Sequence, residues 1–524
     1  MPTPETDFPA VTRASVGLRS ERGPVLLAVM LGIGLVAIDA TILAAAVPAV
    51  VSDLGGLTQF PWLFSVYLLA QAVSVPVYSK LADLFGRKPL MLLGIALFVA
   101  GSLLCGIAWS MGALIAFRVL QGLGAGAVQP IGMTIVGDIY SLQERAKVQG
   151  YLASVWAAAS LVGPTLGGVF ADYLSWRWIF LVNLPIGLAA AYVLWRRFDE
   201  HLDTTARRRP RLDYTGSALL TGGGVLLLLA LLEGGVRWAW GSGLSITLFS
   251  LAVLMLGAFV AVERRAAEPV LPLWVFRGRV LNAAMLGSLI VGVLTLGLSS
   301  YVPLFAQSVL GRGAMVAGLA LAAMTIGWPI AAATAGRFYL TIGFRATMLM
   351  GAAFAVAGGA LLLTVGTQSS IVHLAAPCFV MGVGFGFVAS PSVVAAQSSV
   401  TWRQRGVATG STLFARSVGS AVGVAAFGAI VNGRVSQGLG HAPSSLHEVS
   451  ASVLEPAIHA VFAAAAVVAI ALAAAALVMP KRIEVPPEAQ SSEPHPMPRP
   501  DPVGWRHADV RGGATTAGSD CGSR

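Results

Sequence analysis

An acid and a base lie deep in apolar sequence. Asp39 sits near the centre of the stretch PVLLAVMLGIGLVAIDATILAAAVPAV (24–50), and Arg118 lies inside another at 111–137. A charge at the bilayer centre costs about 2.5–3.5 kcal/mol on insertion scales, so such residues face a cavity or a partner and mark proton or substrate paths. Removal from water favours the neutral carboxylic acid, which suits Asp39 to taking up and releasing protons. The alternative is a permanently paired structural aspartate. Arg118 is the natural partner. At 1.5 Å per residue Arg118 is roughly 10 Å below the outer surface and Asp39 roughly 16 Å, a gap within an arginine's reach. Gln121 shares a face with Arg118 at i+3 and lies nearer Asp39 in depth. Substrate and proton would then compete for Asp39, with Arg118 setting how tightly the proton is held. In the blander reading Arg118 only bonds backbone carbonyls. Arg416 is a further deep charge, and the sequence gives it no role.

Other residues could line a path or gate it. Tyr67, Gln71, Ser74 and Tyr78 form one helical stripe, suited to a wet cavity wall or to interhelical hydrogen bonding. Trp156, Tyr301 and Trp328 could offer cation–π faces or simply pack. The segment SKLADLFGRK (79–88) sets Asp83 among Lys80, Arg87 and Lys88, beside the turn residue Gly86. There Asp83 is expected to hold a basic residue or a helix N-terminus in one conformation and release it in another. No paired carboxylates, metal spacing or nucleophile–base set occurs at shared depth, so catalytic and metal sites are not expected. No G-x-x-x-x-G-K-[ST] phosphate loop is present either. The chemistry needs no cofactor and would draw on a proton gradient.

These residues must be positioned by membrane-spanning helices. Apolar residues make up 56% of the 524 positions and charged ones 11%, against about a quarter charged in soluble domains. Stretches long enough to span a bilayer predict fourteen helices, near 24–50, 60–82, 89–109, 111–137, 148–172, 176–196, 214–233, 243–262, 280–308, 314–339, 346–366, 370–399, 407–431 and 453–479. Of the 34 Lys and Arg, 28 fall in the tails and in the loops on one side. Positive charge on short loops marks the cytoplasmic face, so both termini are expected there, in a multi-pass protein of the cell inner membrane. The same distribution argues against nucleic acid as the partner of the +10 net charge. The expected partners are the lipid bilayer, protons and a small molecule, with the chain a monomer. Cys105, Cys378 and Cys521 offer no disulfide framework.

The expected organisation is an N-tail (1–23), six helices (24–196), a basic loop with two extra helices and an amphipathic loop (197–279), six more helices (280–479) and a disordered C-tail (480–524). SKLADLFGRK after helix 2 aligns with GRFYLTIGFR (336–345) after helix 10, Gly86 with Gly343 and Lys88 with Arg345, while Asp83 falls opposite Leu340. Two six-helix halves related by a repeat are the requirement of alternating access around a midplane site.

Four ordered segments carry a family resemblance: IDATILAAAVP (38–48), SKLADLFGRK, FRVLQGLGAG (117–126) and LVGPTLGG (161–168), the last followed by WRWIFLVNLPIG (176–187). PSVVAAQSSV (391–400) and ARSVGSAVGVAAFG (415–428) extend it into the second half. With them the chain resembles the major facilitator superfamily, specifically its fourteen-helix drug:proton antiporters. Ser79 departs from the glycine that usually opens the loop motif. The resemblance implies an all-α polytopic fold of two six-helix bundles plus two extra central helices. It also implies proton-coupled antiport that exports small apolar or monocationic compounds. LVGPTLGG carries the direction: in the family it accompanies export. Here Gly163, Gly167 and Gly168 offer a smooth face for close helix approach, and Pro164 should bend helix 5. The alternatives are a proton symporter that imports a nutrient and, from a different class, a membrane-embedded enzyme.

Overall fold

The computed structural model describes residues 16–55, 59, 62–200, 213–235, 237–266, 268–439 and 450–483. Most of the N-tail, the centre of the basic loop after residue 200, the C-tail beyond residue 483 and the side chain of Pro164 lie outside them. Among the described residues fourteen helices are long and apolar enough to cross a membrane. They are α1 (Gly23–Leu54), α2 (Trp62–Phe85), α3 (Arg87–Gly106), α4 (Met111–Ile139), α5 (Leu142–Tyr173), α6 (two pieces, Trp178–Leu181 and Asn183–Arg197) and α7 (Tyr214–Glu233). After these come α8 (Gly243–Glu263), α9 (Arg279–Ser308), α10 (Ala314–Thr341), α11 (Phe344–Leu362), α12 (Ile371–Ser398), α13 (Arg405–Leu439) and α14 (Ala451–Val478).

Their ends follow from local chemistry. Ser110 caps α4 by accepting from the Ala113 amide at 3.2 Å. Ser141 and Glu144 form a reciprocal capping box at the start of α5, filling two of the amides a helix N-terminus leaves unpaired. Inside the bilayer, close approach replaces hydrophobic drive as the packing principle. The run QGLGAG shows how: a Cβ on Gly122 would lie 2.6 Å from the Tyr67 carbonyl of α2, and one on Gly124 2.4 Å from the Phe98 amide of α3. Missing side chains on two faces of α4 thus clamp α2 and α3 around Arg118 and Gln121.

The halves α1–α6 and α9–α14 meet through exchanged contacts, α2 against α13 and α10 against α5. Ser79 opposes Gly410, whose missing Cβ would lie 2.1 Å from the serine hydroxyl, and Gly336 opposes Ala146 at 2.1 Å. The repeat is therefore structural, and Ser79 is accommodated because the glycine stands on the other helix. Gly86 and Gly343 carry it to the backbone, with φ of 99° and 86° and ψ of 157° and 162°, a region essentially closed to other residues. Replacing either by alanine should cost about 1–3 kcal/mol, read as a lowered thermal midpoint in detergent. Gly257→Ala, where no atom lies within 4 Å, should leave it unchanged.

The extra helices α7 and α8 are central in sequence but peripheral in space. They pair with each other, and α7 rests on α2 and α13. Leu228, Val225 and Leu231 of α7 pack with Ala72 and Val73 of α2 and Val418 and Ala421 of α13.

Candidate functional site

The site is built on α1, α2, α3, α4 and α6. Asp39 is 1% exposed. Its Oδ2 accepts from Arg118 Nη1 at 2.6 Å, and its Oδ1 accepts from Gln121 Nε2 at 2.8 Å and from Asn183 Nδ2 at 3.3 Å. Arg118 Nη1 also donates to Gln121 Oε1 at 2.7 Å, and its Nε donates to the Leu63 carbonyl of α2 at 3.0 Å. The Ser102 hydroxyl accepts from both Gln121 (2.7 Å) and Asn183 (3.3 Å). Tyr67 lies over the guanidinium at 4.1 Å and Phe180 at 6.0 Å. Further hydrogen bonds offset the desolvation of a buried ion pair, and four donors and acceptors supply them here.

The backbone makes this possible. Thr41, two residues beyond Asp39, donates to the Ala159 carbonyl of α5 at 3.0 Å. A Cβ on Gly163 would lie 2.0 Å from the Thr41 hydroxyl, so Gly163 lets α5 press α1 towards the cluster. The break between the two pieces of α6 places Asn183 at the start of its second piece, beside Asp39.

Several expected roles change with these positions. Tyr67 and Gln121 are buried in the cluster and do not line a wet wall. Ser74 is buried too; it donates to the Gln71 carbonyl of its own helix at 3.1 Å and faces Gly126. The stripe on α2 meets α4 over much of its length, which is why it is not a cavity face. Gln71 is half-buried and donates to Gln129 at 3.3 Å. Trp156 and Tyr301 are half-buried, Tyr301 against the second half's core, and Trp328 sits edge-on to Phe385 at 6.0 Å. Of the LVGPTLGG glycines, Gly163 is in close contact, Gly167 is buried, and Gly168 has open space where a neighbour was expected. Sequence spacing does not mark Ser102 and Asn183, each a single small polar residue in apolar sequence, although Asn183 stands out in FLVNLPIG.

A second network closes the end where Lys and Arg concentrate. Asp83 accepts from the Gly406 and Val407 amides at the start of α13 at 3.0 and 2.9 Å, and from Arg87 Nη2 at 3.0 Å. Arg87 is fully buried. It pairs with Asp138 at 3.0 Å, donates to the Trp402 carbonyl at 2.8 Å and stacks on the Trp402 ring at 3.7 Å. Arg405 joins the same Asp138 at 3.2 Å. Around the rim, Glu200 accepts from the Arg87 and Lys88 amides at 2.8 and 2.9 Å, Lys88 meets Asp199 at 3.4 Å, and Lys80 meets Glu268 at 3.1 Å. Asp138, Glu200, Trp402 and Arg405 are functional candidates that sequence spacing does not reveal.

Among the described residues no group of His, Cys, Asp and Glu could hold a metal ion. The arrangement places a buried acid–base pair in the first half and a network of bonds joining α2 and α4 to α13 at the basic end.

Comparison with known proteins agrees with this architecture. The family model described as Major Facilitator Superfamily matches residues 29–424. The chain is 34% identical over 418 residues to the multidrug transporter protein MdtP of Bacillus subtilis (strain 168), covering 80% of this chain and 77% of that protein. It is 36% identical over 406 residues to multidrug resistance protein 3 of the same organism, covering 78% and 79%. The crystal structure of the human organic anion transporter MFSD10 (TETRAN) shares the fold with a TM-score of 0.62 at 16% identity, covering 87% of this chain and 99% of that one. The chain, with fourteen apolar helices among its described residues and a buried acid–base cluster, therefore belongs to the Major Facilitator Superfamily and is a membrane transporter and not an enzyme.

Proposed function

We propose that the protein is a proton-driven antiporter that exports small, largely apolar compounds by alternating access. The observation that carries this reading is the Asp39–Arg118 pair, an acid and a base held together at 2.6 Å deep in the membrane. Protonation of Asp39 removes its attraction for Arg118. Arg118 also grips the Leu63 carbonyl, so its release loosens α2 from α4, and α2 carries Asp83 of the other network. The route from proton to gate then runs along one helix, with no need for substrate to touch Asp39. Direct competition for Asp39 is disfavoured in this conformation because the carboxylate is enclosed.

The basic end is read as cytoplasmic, in a cell membrane, and the bonds across it make this a state closed towards the cytoplasm. Two relatives bear multidrug names, which supports export over nutrient uptake. A proton falling through 100 mV supplies about 2.3 kcal/mol, enough for roughly a fifty-fold gradient of a neutral compound.

Cells expressing the protein should accumulate less of a fluorescent lipophilic compound than control cells. A protonophore or Asp39→Asn should restore the control level. Greater accumulation than in controls would make the protein an importer, and export that survives the protonophore would exclude proton drive.

A further inference from the structure

Three charges lie deep in the helices, and two of them cancel. Asp39 is balanced by Arg118. Arg416 of α13 is not balanced: among the described residues it makes no hydrogen bond, ion pair or ring contact, and no charged group acts on it. It lies eleven residues, roughly 17 Å, along α13 from Arg405. Gly410 marks the crossing with Ser79, and Val418 and Ala421 pack on Ala72 and Val73 of α2. Arg416 is therefore level with Gln71, at mid-membrane.

The neighbours of α13 fix its surroundings. Val418 and Ala421 face α2 and α7. Gly419 and Gly423 press on the Leu289 and Val293 carbonyls of α9. Ala429 and Gly433 line a hollow shared with Ala460 of α14. Ser420 donates to the Gly292 carbonyl of α9 at 3.4 Å, and Ser417 donates to the Leu413 carbonyl of its own helix at 3.2 Å. Arg416 lies at i−3 from Gly419 and i−4 from Ser420, on the side of α13 that meets α9. A Cβ on Gly292 would lie 2.1 Å from the Arg416 carbonyl, so α9 and α13 are in close backbone contact there. The side chain is half-buried.

An arginine stays charged at any physiological pH, and its planar fork matches an oxyanion. Left unpartnered at mid-membrane it is costly, and its need for an anion is unmet by the described residues. We propose that Arg416 is the specificity-determining residue of the substrate site and receives the oxyanion of an amphipathic organic acid, a carboxylate or chemically similar group on an apolar body. This rests on the export reading above and narrows its substrate class. A monocation at the midplane would add a second uncompensated positive charge, whereas a monoanion cancels the first. An inside-negative membrane potential also favours the outward movement of an anion.

The test is equilibrium binding to the purified full chain in detergent, using three probes with one pyrene body: 1-pyrenebutyrate, its methyl ester and 1-pyrenebutylamine. The carboxylate should bind at least about tenfold more tightly than the ester, and the amine most weakly. Arg416→Gln should bring carboxylate and ester together without changing the ester. Arg416→Lys should restore part of the preference. Because the unpartnered charge adds nothing to the fold, Arg416→Gln should keep or raise the thermal midpoint. Equal binding of carboxylate and ester by the wild type, a preference that survives Arg416→Gln, or no saturable carboxylate binding would each overturn the proposal. The assay uses no proton gradient, so a failure of proton coupling would leave its result intact.

Discussion

Arg118→Ala should abolish proton-coupled export and destabilise the protein by about 3–5 kcal/mol, the cost of removing one partner of a buried ion pair. The change strips Asp39 Oδ2 of its donor and frees both Gln121 Oε1 and the Leu63 carbonyl. Arg118→Lys should not rescue it, since one ammonium cannot reach the acid, the amide and the carbonyl from the directions that the guanidinium fork uses. Pairing Arg118→Gln with Asp39→Asn should give a protein more stable than either single variant, because neither leaves a buried charge unmatched. That double variant should still be unable to couple. Thermal midpoints in detergent and export measured on one set of membranes separate the two effects. Additive losses would mean that the pair is not the unit described here.

The second large effect concerns Asp83→Asn, which should unlatch the basic end. A neutral amide keeps the shape but gives up three charge-assisted bonds, to Arg87 and to the two α13 amides. Each such bond is worth about 1.5–3 kcal/mol, so losing the charge on even one shifts a two-state population about tenfold or more. Ser411→Cys provides a reporter, since Ser411 is buried just inside the crossing of α2 and α13. In the Asp83→Asn background its alkylation by a bulky polar maleimide, added from the basic side, should quicken at least about tenfold, and export should fall. Unchanged alkylation would show that Asp83 is not a latch. Arg87→Ala should act in the same direction, because it also removes the stack on Trp402 and the link to Asp138.

Much of this was legible in the sequence, for physical reasons that differ by residue. Helix number and ends follow from a length and polarity rule the bilayer imposes on each segment separately. Asp39 and Arg118 stand out because a deep charge is costly wherever it occurs. Gly86 and Gly343 could be matched because the turn they make is local. Partner choice is another matter. Asp138 reaches Arg87 from the neighbouring α4, while Trp402 and Arg405 come from the second half, and only the contact of α2 with α13 brings these two to the same cluster. The stripe from Tyr67 to Tyr78 was correctly placed on one face, yet periodicity states which residues share a face and not what it meets. Tyr67 meets Arg118 and Ser74 meets Gly126, whereas Gln71 and Tyr78 stay half-buried. Gly168 failed in the same way, as a glycine available for contact with no helix opposite. Arg416 is visible in the sequence as a deep charge, but its meaning depends on its having no partner among the described residues, which only the surrounding helices can establish.

In the proposed antiport Asp39 carries the transported proton. Proteoliposomes holding a pH dye and an acidified lumen test it most directly, with wild type and Asp39→Asn compared on addition of pyrene compounds of each charge class. Compound-triggered loss of luminal protons by the wild type, absent from Asp39→Asn, is the predicted result. Transport without proton movement, or a mutant that couples normally, would contradict it.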